Sequence, residues 1–276
     1  MPPLQCGIGL SAPSNWSLGT ASLKGVQVVR SNPLESLRAF PQPEKFLPPI
    51  ENQLIARLPR KSRSSLMKLC QPIQLTMADV LCDGGKPIRH VYFPVEGFIS
   101  LVTILDGKPV LEVGMVGREG MLGAQMALGV ISEPLHAVVQ GPGSAWRVGR
   151  LDFRRELDRN MALQKSLKHY LHLTMTQLAG SAACLRFHHI RPRLARWLLM
   201  TQDRAHSDSF RITHEFLAFM LGVRRVGITT AAAALQQQGL VEYRRGNITI
   251  LNRLGLEKAA CGCYMRDRSA YGSLLH

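Results

Sequence analysis

The chain has 276 residues, which is enough for two domains with separate hydrophobic cores. Its 34 Lys and Arg residues outnumber its 19 Asp and Glu residues, and the resulting net charge of +15 favours a polyanionic partner such as nucleic acid. No apolar run is long enough to span a bilayer, no signal-peptide pattern is visible, and the six cysteines lack the spacing of a disulfide framework. We therefore expect a cytoplasmic protein with no membrane partner.

The first predicted region is an N-terminal extension, residues 1–49. It mixes Pro, Ser, Asn and Gly with little hydrophobic periodicity. A segment of this composition buries too little apolar surface to offset the entropy of ordering its backbone. We expect residues 1–49 to be disordered.

Residues 50–150 predict a domain built mainly from short strands. Two short helical patterns, broken at Pro59, come first. Turn signals such as Asp106-Gly107 then separate a series of strand-like runs: 73–77, 80–82, 90–94, 97–105, 110–116, 136–140 and 144–148. Many short strands at close spacing are typical of a small antiparallel β-roll.

A glycine-rich loop interrupts this strand pattern before a short apolar segment. Backbone N–H groups at such a loop and helix start can hold an anion. The loop is therefore a candidate effector-binding site, formed by Gly117, Arg118, Glu119 and Gly120. A tight corner of the roll also needs glycines, and the sequence alone favours this structural role.

Residues 151–188 predict one long helix. Its apolar and small residues recur near a seven-residue repeat: Leu163, Leu167, Tyr170 or Leu171, Thr174, Leu178, Ser181 and Leu185. A long helix between two domains commonly packs against a second copy of itself, so the repeat predicts a dimerisation helix and a homodimer. The alternative is packing along its own β-roll, and both arrangements can hold at once.

Residues 189–268 predict a winged helix-turn-helix, followed by a short tail, 269–276. Thr213 is placed to cap the first helix, Gly222 supplies the turn, and Arg224 begins the second helix. The inward-facing residues of this second helix are expected to be Val226, Ile228, Ala232 and Leu235. Two alternating segments around a basic tip, residues 244–247, predict the wing.

Positive charge is concentrated in this C-terminal region. Residues 186–253 contain 11 arginines and no lysine, against four carboxylates. The planar fork of arginine suits phosphate and guanine better than lysine does. A uniformly basic surface would explain the total charge, but not its concentration beside a helix-turn-helix, so the pattern indicates double-stranded DNA as a partner.

The order of β-roll, long helix and winged helix-turn-helix resembles the Crp/Fnr family of bacterial transcription regulators. The resemblance covers roughly residues 52–264, and its most specific parts are IRHVYFPVEGFISLVT (88–103), EVGMVGREGMLG (112–123), RLARWLL (193–199) and the segment 213–264 that begins THEFLAFMLGVRRVG. It implies an α+β fold with a cyclic-nucleotide-binding-like antiparallel β-roll, a dimerisation helix and a C-terminal winged helix-turn-helix. It also implies a homodimer on a near-palindromic operator and admits RNA polymerase as a further partner.

The same resemblance implies roles for particular residues. Arg225 matches the recognition-helix arginine that contacts guanine in many members, whereas Val226 and Thr230 replace a Glu and a second Arg, which implies an unusual operator. Thr213 and His214 match backbone-contacting positions. The complete set of expected DNA-binding residues is Thr213, His214, Arg224, Arg225, Thr229, Thr230, Arg244 and Arg245.

The resemblance implies less about the signal that the β-roll senses. Members that bind cyclic AMP carry a Gly-Glu pair and a later Arg-Ser pair, but the later segment here reads SEPLHA over residues 132–137. Without that arginine a buried phosphate lacks its counter-charge, so we expect no response to cyclic AMP. Cys6, Cys70 and Cys82 are too widely spaced to match the iron–sulfur ligands of the oxygen-sensing members, and the effector remains unassigned.

Histidines and cysteines near the end of the long helix raise the question of a metal site. His169 and His172 share a helix face, and His188 and His189 follow Cys184. Residues 261–263, Cys-Gly-Cys, offer two thiols without a second pair. No complete ligand set is visible, so we expect no metal and no cofactor.

Signatures of catalysis are missing from the sequence. There is no phosphate loop with its lysine, no nucleophile elbow and no dinucleotide fingerprint, so we expect no enzyme. The rival to a sequence-specific DNA-binding regulator is a signal-binding or scaffold protein whose helix-turn-helix mediates protein contacts.

Overall fold

The computed structural model describes residues 52–104 and 111–274. The expected N-terminal extension, residues 1–49, and the hairpin signal Asp106-Gly107 lie outside the described residues. Among the described residues no single helix is long and apolar enough to cross a membrane. Two helices, His214–Met220 and Arg225–Gln237, reach that length and apolarity when taken together, but the chain bends by 109° between them.

Two short helices open the described chain, α1 (Gln53–Ala56) and α2 (Arg60–Met67), with Pro59 at the break as expected. The buried Asn52 caps α1, because its Oδ1 accepts a hydrogen bond from the Ile55 amide at 3.3 Å. Its Nδ2 donates to the carbonyl oxygens of Pro94 and Gly120, at 2.9 Å each. One side chain thus ends a helix and fastens it to the roll.

Seven strands follow and form the predicted β-roll. They are β1 (Gln71–Leu75), β2 (Val80–Cys82), β3 (His90–Pro94), β4 (Phe98–Thr103), β5 (Leu111–Val116), β6 (His136–Gly141) and β7 (Gly143–Gly149). They make two antiparallel sheets, of order β1-β7-β3 and β2-β6-β4-β5. Residues from both sheets, such as Val91, Phe93 and Ile99, are buried together in one core. The α+β class and the antiparallel roll are confirmed.

The predicted long helix is two helices, α3 (Arg150–Arg159) and α4 (Met161–Phe187). Asn160 divides them, because its non-helical backbone ends α3 while its Oδ1 accepts a hydrogen bond from the Leu163 amide at 3.1 Å and begins α4. Its Nδ2 donates to Glu156 at 2.7 Å. Asn side chains compete with helical backbone bonds in this way, which the hydrophobic repeat does not register.

The first half of the expected dimer seam lies inside the protein. Leu163, Leu167 and Tyr170 are buried against the β-roll core, so they cannot contact a second copy. The exposed large apolar side chains of α4 are Met161, Met175, Leu178 and Phe187, and of these Leu178 belongs to the predicted repeat. The alternative of packing along the roll therefore holds for the first half of α4.

The C-terminal region contains the predicted winged helix-turn-helix. Its elements are α5 (Ile190–Ala205), β8 (Ser209–Arg211), α6 (His214–Met220), α7 (Arg225–Gln237), β9 (Val241–Arg244), β10 (Asn247–Ile250), α8 (Arg253–Ala259) and α9 (Cys263–Leu274). The three strands form a sheet of order β8-β10-β9. Residues 269–274, expected to be tail, belong to α9, and the Tyr271 hydroxyl donates to Gln177 of α4 at 2.7 Å.

The β-roll and the helix-turn-helix region share a packed boundary. Phe98 of β4 and Met115 of β5 are buried in the same cluster as Leu194 and Leu198 of α5. The first helix of the DNA-binding part is therefore in direct contact with the strands of the roll.

Candidate nucleic-acid interface

The helix-turn-helix is built by α6, a tight turn and α7. The Thr213 hydroxyl accepts a hydrogen bond from the Phe216 amide at 3.1 Å, which confirms the predicted cap. Gly222 has φ +61°, a left-handed conformation that glycine adopts without strain. The two helices meet at 109°, within the range of helix-turn-helix motifs.

The outer face of α7 is the exposed surface of this motif. Ile228, Ala231, Ala232 and Leu235 are buried inward, whereas Arg225, Val226, Thr229 and Thr230 are exposed in the first half of the helix. The prediction that Val226 faces inward is wrong, since 69 % of its surface is accessible. Val226 precedes the inward Ile228 by two residues, or about 200° around a helix, so the two side chains point in different directions. An apolar side chain therefore stands beside Arg225 on the exposed face.

His214 joins the three parts of the motif. Its Nδ1 lies 3.0 Å from the Thr229 hydroxyl on α7, and its ring stacks on Tyr243 of β9 at 4.2 Å between centroids. Burial and then the positive charge of Arg225 lower the pKa of His214. The structure therefore gives His214 a positioning contact in addition to the DNA-backbone role that the resemblance implies.

The wing ends in a two-residue turn of Arg245 and Gly246. Both have positive φ, +48° and +81°, as in the type I′ turns that suit the twist of a β-hairpin. The Ile212 amide donates to the Gly246 carbonyl at 2.7 Å and holds the tip next to the start of α6. Arg244 and Arg245 are both exposed there.

Not all arginines of this region are available to a partner. Four are engaged within the protein: Arg193 donates to the Leu221 carbonyl, Arg196 pairs with Asp267, Arg204 with Glu119, and Arg253 with Asp203. The other seven are exposed: Arg186, Arg191, Arg211, Arg224, Arg225, Arg244 and Arg245. The charge that the sequence concentrates here is thus divided between structural pairs and a free surface.

The candidate effector loop is occupied by contacts from its own chain. Glu119 accepts a hydrogen bond from the Gly117 amide at 3.2 Å and pairs with Arg204 of α5 at 2.7 Å. The Gln53 amide donates to the Arg118 carbonyl at 2.8 Å. A Cβ atom at Gly120 would overlap the Tyr170 hydroxyl of α4. These contacts give the glycines a packing role and favour the structural interpretation of the loop.

The segment that lacks the cyclic-AMP arginine carries a buried carboxylate. Glu133 accepts a hydrogen bond from Gln125 Nε2 at 2.9 Å, and burial raises the pKa of Glu133. Where a bound phosphate would need positive charge, this part of the roll therefore supplies an acidic group.

Side chains that the sequence placed in separate groups meet at the end of α4. The ligand atoms of Cys184, His188, Cys261 and Cys263 all lie within 4.8 Å of one another. Cys184 and His188 are four residues apart at the end of one helix, which is the signal that sequence reasoning could have used. His169, His172 and His189 are exposed and outside this group.

The profile of the Crp-like helix-turn-helix domain matches residues 192–259. The chain carries a Crp-like helix-turn-helix domain. No curated protein sequence matches the chain significantly.

Solved structures of Crp/Fnr regulators share the fold of the chain around this Crp-like domain. A Crp/Fnr-family putative transcriptional regulator from Eubacterium rectale aligns with TM-score 0.59 and 16% identity, over 75% of this chain and 96% of that chain. FixK2 from Bradyrhizobium japonicum aligns with TM-score 0.59 and 16% identity, over 70% and 98%. The c-di-GMP-responsive regulator CLP of Xanthomonas campestris aligns with TM-score 0.56 and 14% identity, over 70% and 99%. The chain thus has the Crp/Fnr fold beyond its DNA-binding domain.

Proposed function

We propose that the protein is a sequence-specific, DNA-binding transcription regulator of the Crp/Fnr type. The observation that carries this proposal is the exposed face of α7 within the Crp-like domain, with the basic wing tip beside it. It combines one arginine, one apolar residue and two hydroxyl residues: Arg225, Val226, Thr229 and Thr230. These are the side-chain types that read base edges in the major groove.

Each element of the interface has a defined task in this proposal. Arg225, at the start of α7, donates its two parallel N–H bonds to a guanine, and Val226 contacts a thymine methyl group. Arg245 at the wing tip contacts phosphate, which adds affinity without reading sequence. His214 holds α7 and the wing at a fixed distance, so that both can engage DNA together.

The proposed regulator acts as a homodimer through α4. Met175 and Leu178, neighbours three residues apart on one side of α4, expose 68 % and 36 % of their surface. Such apolar side chains on a helix of 27 residues support pairing with a second copy. Two recognition helices related by a twofold axis would then enter successive major grooves roughly 34 Å apart, on a pseudo-palindromic site.

The β-roll is the proposed sensor, and its signal is not cyclic AMP. The buried Glu133 and the self-occupied loop around Gly117 support this negative assignment. Hydrogen bonds and ion pairs from β5 and from this loop to α5 provide a route by which the roll affects the DNA-binding part. RNA polymerase is the partner through which a regulator of this type acts, and the cytoplasm is where it meets the chromosome.

Selection of bound sequences from a random DNA library, followed by footprinting, tests the proposal. We expect one pseudo-palindromic site, and Arg225→Ala should lose about 1–3 kcal/mol of binding free energy and relax one base position. Arg155→Ala is the matched control, because Arg155 is also an exposed arginine but lies on α3. If no sequence is enriched and Arg225→Ala binds DNA as the parent does, the DNA-binding function is wrong and the scaffold alternative gains.

A further inference from the structure

The end of α4, the connection to α5 and the start of α9 bring four metal-binding side chains together. Cys184 lies in the last turn of α4, and His188 follows the helix in the two-residue connection to α5. Cys263 is the first residue of α9, and Cys261 lies two residues before it. The Sγ atoms of Cys184 and Cys261 are 3.5 Å apart, and Cys263 Sγ is 3.6 Å from His188 Nδ1.

These separations correspond to the edges of a single metal's coordination shell. Zinc–sulfur bonds of about 2.3 Å in tetrahedral geometry place neighbouring sulfurs about 3.8 Å apart. A disulfide would need the two sulfurs at about 2.05 Å. An iron–sulfur cluster interposes several atoms between its cysteines and holds their sulfurs farther apart than one ion does.

The surroundings also suit a metal with thiolate ligands. All three cysteines are buried, His188 is half-buried, and no carboxylate belongs to the group. Zn²⁺ with three thiolates and one imidazole carries one net negative charge, and the guanidinium groups of Arg193 and Arg196 act electrostatically on Cys184 and Cys261. Burial by itself disfavours thiolates, so the charge of a bound ion, together with these guanidinium groups, would supply the positive charge that three buried thiolates require.

We propose that Cys184, His188, Cys261 and Cys263 bind a structural zinc ion. The four ligands complete a closed Cys₃His set, which leaves no position for a reacting water and is typical of structural rather than catalytic zinc. The ion joins two parts of the chain 77 residues apart, the end of α4 and the start of the last described helix, α9.

The position of the site gives the ion a specific task. His188 lies in the connection between α4 (Met161–Phe187) and α5 (Ile190–Ala205), so its coordination fixes the direction in which the chain enters the helix-turn-helix. Phe187, the most exposed of the large apolar side chains on α4, immediately precedes this ligand. Zinc therefore holds the junction between the α4 surface and the DNA-binding part, whether or not the protein binds DNA.

Metal analysis of the full-length protein tests the site. Protein purified under reducing conditions from zinc-supplemented cells should contain one zinc per chain, and exchange with Co²⁺ should give the intense visible bands of tetrahedral cobalt with thiolate ligands. Cys261→Ser and His188→Ala should lose the metal. Cys70→Ser is the matched control, because Cys70 lies between α2 and β1, outside the cluster, and it should retain one zinc.

A rescue variant keeps the test independent of folding. His188→Cys supplies a fourth thiolate in place of the imidazole and should retain zinc, with the cobalt bands shifted as the ligand set becomes Cys₄. Absence of zinc and of cobalt bands in the folded parent protein would overturn the proposal. Iron with inorganic sulfide, a Cys184–Cys261 disulfide found by mass spectrometry, or undiminished zinc in Cys261→Ser would overturn it as well. None of these readouts depends on DNA binding.

Discussion

The indole Nε1 of Trp197 donates a hydrogen bond to Glu112 Oε1 at 2.8 Å, and this bond joins α5 of the DNA-binding part to β5 of the roll. The other carboxylate oxygen accepts a bond from the Ser100 hydroxyl. Burial raises the pKa of Glu112 from 4.5 to about 7, although both hydrogen bonds and the arginines 196 and 204 favour its charged form. The link between the two parts thus contains an acid that titrates near neutral pH.

The free energy of unfolding should therefore fall as the pH rises from 4.5 to about 7. The unfolded chain releases the Glu112 proton near its ordinary pKa, whereas the native protein keeps it until about pH 7, so raising the pH from 4.5 to 7 favours unfolding. Glu112→Gln should remove this part of the pH dependence. Urea unfolding of both proteins between pH 5 and 8 measures it, and parallel pH profiles would refute the assignment.

Because Arg204 and Glu119 form a buried ion pair, the stability losses from substituting each residue should not add up when both are substituted. Both side chains are largely buried and lie 2.7 Å apart. Removing one partner leaves an uncompensated buried charge, so Glu119→Leu or Arg204→Met alone should destabilise by about 3–5 kcal/mol. The double variant should recover part of that loss in urea unfolding. Additive losses would show that the two residues do not act as a pair.

The exposed Val226 predicts a thymine preference at one operator position. Val226→Ala removes the methyl groups proposed to contact the thymine methyl, while its exposure means that the fold loses little. We expect the DNA affinity of the parent protein to drop when that thymine is replaced by uracil, which lacks the methyl group. The affinity of the Val226→Ala variant should be the same for both bases. Equal sensitivity of parent and variant would place Val226 away from the bases.

The proposed phosphate contact of Arg245 needs a test substitution that fits the backbone of the wing tip. With φ at +48°, Ala at this position would strain the turn, whereas Asn tolerates the left-handed conformation. Arg245→Asn should therefore keep the hairpin, remove one phosphate contact and reduce the slope of log affinity against log salt by about 1. Lys165→Asn, on the exposed surface of α4, is the control. An unchanged slope in Arg245→Asn would exclude the contact.

The proposed pairing of two α4 helices predicts that one charged substitution among their exposed apolar side chains separates the dimer. Met175→Asp places a charge among the exposed apolar side chains, so sedimentation should show monomers at concentrations where the parent is dimeric. Leu151→Asp is the matched control, because Leu151 is also an exposed apolar residue but lies on α3. Dimers that persist in Met175→Asp would place the interface elsewhere.

Local patterns were sufficient to predict most of the architecture. Short strand-like runs bounded by turn signals predicted the seven strands that the structure describes in the roll, because strand propensity and turn chemistry are properties of a few neighbouring residues. Thr213 and Gly222 marked the cap and the turn of the helix-turn-helix for similarly local reasons. The motif order added the relationship to Crp/Fnr proteins, which the profile match and the structural comparisons support.

Only the tertiary structure decided what covers each face and which distant groups meet. A heptad repeat identifies an apolar stripe, but not whether the roll or a second copy covers it, and Leu163 and Leu167 proved to be covered by the roll. A count of charges could not show that Arg204 forms a buried ion pair with Glu119 and is therefore not available to DNA. Cys184 and Cys261 are 77 residues apart, so their meeting depends on how α9 packs on α4, and no local spacing encodes it.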